Sequence, residues 1–311
     1  MASGSSRKVV FIAVGANLGI AVTKFVAAWF TRSSGMMSEG IHSLVDTGNQ
    51  VLLLLGIYRS QKPPDEIHPF GHGKELYFWS LIVAILLFGV GGGMAMYEGI
   101  VHILQPKELE DPAFAYVVLL VAAGFEGYSW LAALKAMKHR STRRSIWRMI
   151  RTTKDPAVLT VLLEDSAALT GITVAFLGVY LGHTYDNPYF DGAASIIIGL
   201  VLAMVALLLV IESKGLLLGE SADPATVAEI RHMVADDPNV IDVITALTMH
   251  FGPEEVLLNL EIQFNETVTA DGLIGTIDRL EAAIRKRYPE MTRIFIEAAP
   301  LSRRRVALPD N

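Results

Sequence analysis

Apolar residues run almost without interruption through six stretches of the first 218 positions, at about 9–30, 36–58, 77–104, 113–137, 156–181 and 190–218. Each reaches the roughly 20 residues that an α-helix needs to cross a hydrocarbon core about 30 Å thick. They predict six transmembrane helices, which put both chain ends on one side of the bilayer. No small-residue cleavage site follows the first stretch, so it is expected to remain as a span rather than be removed as a leader. Gly89, Gly91, Gly92, Gly93, Gly171 and Gly178 lie within the spans. In a bilayer such residues let helices approach closely without breaking them.

Beyond residue 218 the pattern changes. Asp223 followed by Pro224 supplies a helix cap and a first-turn proline, and Val227, Ile230 and Val234 keep helical spacing up to Asp236. Two alternating runs, 240–249 and 256–264, flank the turn signal Gly252, Pro253 and predict a hairpin. Leu273, Ile277, Leu280 and Ile284 mark a second amphipathic helix, and 294–296 a last strand. The order helix, strand, strand, helix, strand predicts a small α+β domain of ferredoxin-like type. The expected division is a transmembrane domain at 1–219 and a cytoplasmic domain at 220–311.

Composition fits this division. The chain has 311 residues, 52% hydrophobic and only 19% charged, with a mean hydropathy of +0.42; a soluble domain carries about 25% charged residues. The net charge of −6 gives no reason to expect a nucleic-acid partner. Cysteine is absent, which excludes disulfides and thiolate ligands and leaves imidazole and carboxylate for any soft-metal site. Lys138, Arg140, Arg143, Arg144, Arg148 and Arg151 crowd the loop at about 138–155, whereas 183–189 holds no Lys or Arg. The basic loop is therefore expected in the cytoplasm, in agreement with Arg7 and Lys8. Its run 145–150, with Trp147 among the arginines, is either a lipid-surface segment or a solvated loop.

The informative residues are those that lipid cannot accommodate. His42 and Asp46 stand four apart in the second span, with Glu39 and Asn49 three residues outside them, all on one helical face. Glu164 and Asp165 raise the same problem in the fifth span. A charged side chain at mid-bilayer costs at least about 2.5–3.5 kcal/mol on insertion scales, so these groups require a partner, water or an ion. Two helices that each offer imidazole or carboxylate suit a four-coordinate zinc shell; a polar network or a proton relay is the alternative. In the loop after the second span, Asp65, His68 and His72 can chelate a metal if the backbone turns at Gly71. Asn17, Lys24, Glu98, Glu126, Asp191 and Glu212 are expected to snorkel or to pair with each other; Glu98 and His102, four apart on one face, could pair, but near the span's end hydration is the default. An intramembrane hydrolase is disfavoured, because Ser43 and His42 are adjacent on a helix and point about 100° apart.

Together the motif His42xxxAsp46, the loop His68-Pro-Phe-Gly-His72-Gly-Lys74, the six spans and the carboxy-terminal α+β domain resemble the cation diffusion facilitator family of zinc and manganese transporters. The run 162–168 and the long basic loop before it are most similar to the branch of the mitochondrial zinc exporter. The resemblance implies a homodimeric secondary transporter, not an enzyme, that exports a divalent cation from the cytoplasm in exchange for protons. Zinc is then transported substrate rather than cofactor. Manganese, iron or cobalt as substrate, or a non-transporting partner subunit, are the alternatives. The family's mid-membrane site transfers to His42, Asp46 and, on the fifth span, Asp165, with Glu164 as the alternative. The position four before Asp165, where the family commonly has His, is Val161. The family's loop site transfers to Asp65, His68 and His72. Its carboxy-terminal ligands would fall near Ile244 and Asn259, with Glu297 alone retained, while His232 and His250 lie elsewhere. That domain is accordingly expected to dimerise without a binuclear metal site. The expected location is a bacterial inner membrane, or otherwise an organelle, with both termini cytoplasmic.

Overall fold

The computed structural model describes residues 2–31, 34–105, 112–139 and 153–299. Two compact units emerge, one from 1–62 with 75–214, the other from 63–74 with 215–311. The expected boundary at 219/220 thus lies five residues beyond the observed one, and the 63–74 loop groups with the second unit.

The first unit is helical: α1 (Ala2–Thr31), α2 (Ser34–Ser60), α3 (Glu75–Leu86), α4 (Gly93–Leu104), α5 (Pro112–His139), α6 (Pro156–Thr184) and α7 (Tyr189–Leu218). A π-helical turn, Leu87–Gly92, joins α3 to α4 so that the two run as one rod. Among the described residues, five helices are long and apolar enough to cross a membrane: α1, the α3–α4 rod, α5, α6 and α7. By length α2 matches them, with 27 residues. It falls short in composition because it carries His42, Asp46, Asn49 and Gln50. The structure buries Ser43, Thr47, Asn49 and Gln50 of that helix and leaves Leu44 and Val51 exposed. Polar side chains inside and apolar ones outside is the inversion that a lipid-facing helix requires. The outer face of α7, with Ile197, Leu200, Met204 and Ile211 exposed, would be costly in water and is satisfied by a bilayer.

Two apolar clusters hold the bundle. Val10, Leu53, Val83, Ala133 and Val161 lie at the centre of one, which draws on α1, α2, α3, α5 and α6. Leu87, Leu159, Ala206 and Leu209 belong to the other. α6 begins at a cap in which Asp155 accepts the Val158 N–H at 3.4 Å, with Pro156 in the first turn. Ser6 Oγ donates to the same carboxylate at 2.5 Å and ties α1 to the start of α6. Close approach of α4 and α7 rests on glycine: a Cβ on Gly199 would lie 2.5 Å from Met96 Cγ and 2.9 Å from the Gly92 carbonyl oxygen. One on Gly192 would lie 3.0 Å from the Gly99 carbonyl oxygen. Both faces place their glycines seven residues apart, two helical turns, so the backbones meet twice along one seam.

The second unit contains α8 (Pro224–Ala235), β1 (Val240–Gly252), β2 (Glu255–Phe264), α9 (Ala270–Arg287) and β3 (Met291–Ala298). Asp223 caps α8 by accepting the Ala225 N–H at 3.1 Å. β1 and β2 form the predicted antiparallel hairpin, and β3 joins β2 in parallel, giving the order β1-β2-β3. A parallel neighbour needs a long crossover, which α9 provides. Val256, Leu258, Leu260, Ile262 and Phe264 alternate inward from β2 and meet Ile230, Leu280 and Ile284 of the helices.

The glycine seam generates a test. Gly199→Ala forces backbone to move, because the new Cβ meets Met96 N at 2.8 Å as well as the flexible Met side chain. It should destabilise the detergent-solubilised protein by about 1–3 kcal/mol in thermal unfolding followed by tryptophan fluorescence. Gly89→Ala, with nothing within 4 Å of the added atom, is the control and should unfold as the native protein does.

Candidate metal sites

Inside the helical unit, α2 presents His42 and Asp46 one turn apart, with Nε2 and Oδ2 separated by 3.8 Å and both side chains partly exposed. α6 contributes Glu164 and Asp165, of which only 7% and 2% remain exposed. Adjacent residues diverge by about 100° on a helix, and the two acids accordingly meet different neighbours. Glu164 faces Gln50 and lies within electrostatic reach of Asp46 on α2, whereas Asp165 faces Ser129 and Glu126 on α5. Glu126, 8% exposed, also feels Asp46 and the Lys24 ammonium of α1. Lys24 Nζ donates to Ser43 Oγ at 3.1 Å. Four helices therefore converge charged groups on one region of an otherwise apolar bundle.

These acids are poorly satisfied by the protein. Both Glu164 carboxylate oxygens, Asp165 Oδ2 and both terminal atoms of Gln50 are buried without a hydrogen-bond partner. Gln50 approaches Glu164 but does not reach bonding geometry. Since buried polar groups are paired in the great majority of cases, carboxylates left unpaired in an apolar core signal a ligand or a proton that the bare chain does not supply. The predicted set of His42, Asp46, Glu164 and Asp165 is thus gathered into one neighbourhood. It is not drawn into metal-bonding distance: among the described residues, the one place where three such ligand atoms lie within 4.8 Å of one another is elsewhere.

That place is the loop of Asp65, His68 and His72. Asp65 Oδ1 lies 3.2 Å from His68 Nδ1, and Oδ2 lies 3.0 Å from His72 Nε2, with the two rings 4.3 Å apart. The fold of the loop follows from its sequence. Asp65 Oδ1 accepts the backbone N–H groups of Ile67 and His68 at 3.0 and 2.6 Å, and the His68 carbonyl accepts from Asp65 and Gly71. Gly71 takes a φ of +84°, as the turn between the histidines requires. The rest of the motif is anchored within its own unit. Phe70 stacks on Phe251 at 5.1 Å, Arg293 covers Phe70, and Lys74 lies over Phe251 while donating to the Leu217 carbonyl at 3.3 Å. At Gly73 the backbone passes so close to Phe251 that a Cβ would lie 2.3 Å from its carbonyl oxygen. The His68 N–H above all, then the His72 ring, hold the Asp65 carboxyl down at about 2.

Elsewhere the side chains take other partners. Ile244 is buried, Asn259 pairs in register with Leu247 and Phe295, and Glu297 stands opposite Glu261. His250 is buried with Nδ1 3.3 Å from the Gly252 carbonyl, and His232 is on α8. His102 meets Asp191 of α7, with Nδ1 and Oδ2 3.0 Å apart, a partner that helical spacing does not reveal. Glu126, read from the sequence as a snorkelling or paired residue, is buried among the acids instead. Its position at the middle of a 28-residue helix, with Gly124 and Gly127 about it, was the available signal. Glu39 and the amphipathic run 145–150 fall where side chains are not described.

A bundle of membrane-length helices with histidine and buried carboxylates, joined to a small α+β unit, defines a class of protein that handles cations within a bilayer. Residues 10–218 match the cation efflux transmembrane domain family, and the chain belongs to that family. It is 30% identical over 329 aligned residues to the human proton-coupled zinc antiporter SLC30A9, mitochondrial, covering 93% of this chain and 58% of the relative. Metal tolerance protein C4 of Arabidopsis thaliana is 28% identical, with 89% and 61% covered. The manganese efflux system protein MneP of Bacillus subtilis is 25% identical, with 95% and 96% covered. The chain thus spans about three fifths of the length of the first two relatives.

The loop geometry predicts how Asp65 titrates. Its folded value of about 2 lies below the ordinary 3.8, so its stabilisation of the turn is complete above about pH 4 and is lost as pH falls through 2. An NMR titration of the intact protein with labelled aspartate should place this carboxyl near 2, and Asn at 65 should disorder the His68 and His72 resonances. A midpoint at the ordinary value would show that the turn does not hold the carboxylate.

Proposed function

We propose that this chain is a proton-coupled antiporter that exports a divalent transition metal, zinc first, from the cytoplasm. The observation that carries the reading is the gathering of His42 and Asp46 on α2 near the buried carboxylates of Glu164 and Asp165 on α6, of which both Glu164 oxygens and Asp165 Oδ2 have no hydrogen-bond partner. Imidazole with carboxylates is a donor set suited to zinc, while the preponderance of carboxylate keeps manganese, iron or cobalt open as substrate. Among the relatives, one is named a zinc antiporter and another a manganese efflux protein. A metal ligand must be free of its proton, so metal binding releases protons and proton return favours metal release. Imidazole is the side chain that ordinarily changes charge near neutral pH, which makes His42 the natural carrier.

In this reading α2 is the sixth span, tolerated in the bilayer because its polar face is turned into the bundle. The carboxy-terminal unit is a ferredoxin-like dimerisation module of a homodimer. Both termini lie in the cytoplasm with the basic loop, of which 140–152 fall outside the described residues, and a bacterial inner membrane is the location. The loop site of Asp65, His68 and His72 collects metal rather than passing it on, since it is exposed and apart in sequence from the buried acids. The non-transporting alternative would need the mid-membrane donors to be absent, and they are present.

Proteoliposome flux with a panel of metals and an imposed pH gradient tests this. His42→Ala or Asp46→Ala should abolish flux, and normal zinc transport in either would refute the site. The double change His68→Ala with His72→Ala should weaken uptake without ending it; complete inactivity would give the loop a principal role. In the native protein zinc should move toward the acidic compartment, with apparent affinity rising between about pH 6 and 8. Indifference to the gradient would replace antiport with passive facilitation.

A further inference from the structure

We infer that Glu126 of α5 is a ligand of the transported metal, supplying the donor that α6 lacks at Val161. This rests on the reading of the His42–Asp46 region as the transport site and adds a third helix to it. One turn before Asp165, the α6 position that would share its face holds Val161, fully buried among Val10, Leu53 and other apolar side chains. No metal donor is available from that position, and because the adjacent Glu164 and Asp165 diverge by about 100°, α6 offers one of them rather than both, which with His42 and Asp46 leaves a four-coordinate shell one short. Glu126 fills the gap in space. It is 8% exposed, it faces Asp165 directly, and it lies within electrostatic reach of Asp46, so it touches both halves of the predicted site. A second observation points to a ligand there: Glu164, 7% exposed and with neither oxygen hydrogen-bonded, is directed at the same group of acids.

Among the described residues Lys24 is the cation that Glu126 feels, and its ammonium also donates to Ser43. Its single charge does not match several carboxyl groups, whereas a divalent ion does. Carboxylate ligands bond zinc at about 2.0–2.2 Å, closer than these side chains stand in the bare bundle, so binding must draw them inward. Glu126 is suited to that movement, because its three side-chain torsions let the carboxylate swing while α5 stays packed. A metal held from α2, α5 and α6 together would also fix α5 against the other two helices, whereas a set confined to α2 and α6 would leave it free.

The test uses the purified full-length protein in detergent, carrying His68→Ala with His72→Ala so that the loop site does not contribute, with metal binding followed by calorimetry and the zinc shell counted by X-ray absorption. Glu126→Gln, which keeps the shape but not the donor, should weaken zinc binding about tenfold or more and remove one oxygen from the shell. Glu126→His, neutral like Gln yet a good zinc ligand, should keep zinc affinity within about threefold while losing manganese. Equal losses in the Gln and His variants would mean that Glu126 acts through its charge alone, and the inference would fall. Native zinc affinity in Glu126→Gln, with Asp46→Ala unable to bind, would overturn the inference and leave the transport site standing. Native zinc affinity in Asp46→Ala would refute the transport site itself, and with it this assignment. Thermal unfolding of each variant guards against reading a folding defect as a lost ligand.

Discussion

Everything in the helical unit is arranged around the cost of holding charge in an apolar interior. A hydrocarbon slab offers no water to a carboxylate, and an ionised side chain there is retained only if something answers it. The bundle therefore turns its polar residues inward. α2 is the clearest case, since its buried face carries Asn49 and Gln50 while Leu44 and Val51 look outward. α5, α6 and α1 bring Glu126, Glu164 with Asp165, and Lys24 to the same region, within a bundle otherwise held by apolar clusters. Glycine serves the same end differently: the seam of Gly92 and Gly99 against Gly192 and Gly199 lets backbones pack closely where apolar attraction between helices in lipid is weak.

The second unit obeys another constraint, that of a small water-exposed domain with a single core. Alternation in β2, a capped α8 and an amphipathic α9 suffice to build it, and the 63–74 loop is folded onto it through aromatic and cation–π contacts. The two candidate sites differ accordingly. Asp65 is exposed and held ionised by backbone N–H groups, so its histidines are gathered before any ion arrives. In the bundle the acids are near one another without converging, an arrangement that suits the proposed release of an ion in each cycle.

Much of this was legible in the sequence because it depends on local pattern. The helices begin and end within about seven residues of the predicted spans, since apolar run length decides where a chain can lie in lipid. Asp223 with Pro224, and Gly252 with Pro253, mark the α8 cap and the hairpin turn through residue chemistry alone. What escaped depends on contacts between distant positions. Neither the pairing of Phe70 with Phe251 nor that of His102 with Asp191 has a periodic signature. Helical spacing offered Glu98 to His102, but the spacing says only what is possible on one helix, and α7 presented a competitor. Glu126 was visible as a mid-span acid; only packing shows that it looks at Asp165. The π-turn at Leu87–Gly92 lies in a glycine-rich run that reads equally well as an ordinary helix.

The same packing gives the proposed antiport a physical meaning. Several carboxyl groups and one ammonium share a region from which water is largely excluded, and their mutual repulsion must be relieved by cations of some kind. Protons and a divalent ion are the two that fit, and they compete for the same lone pairs. Occupancy by one lowers occupancy by the other without any mechanical link between them. The acids on α2, α5 and α6 then make the spacing of those helices depend on which cation is present, because a metal draws ligands to about 2 Å and a proton does not. Exchange of cation and rearrangement of helices are therefore one event seen from two sides, set by the number of carboxylates the bundle leaves unpaired.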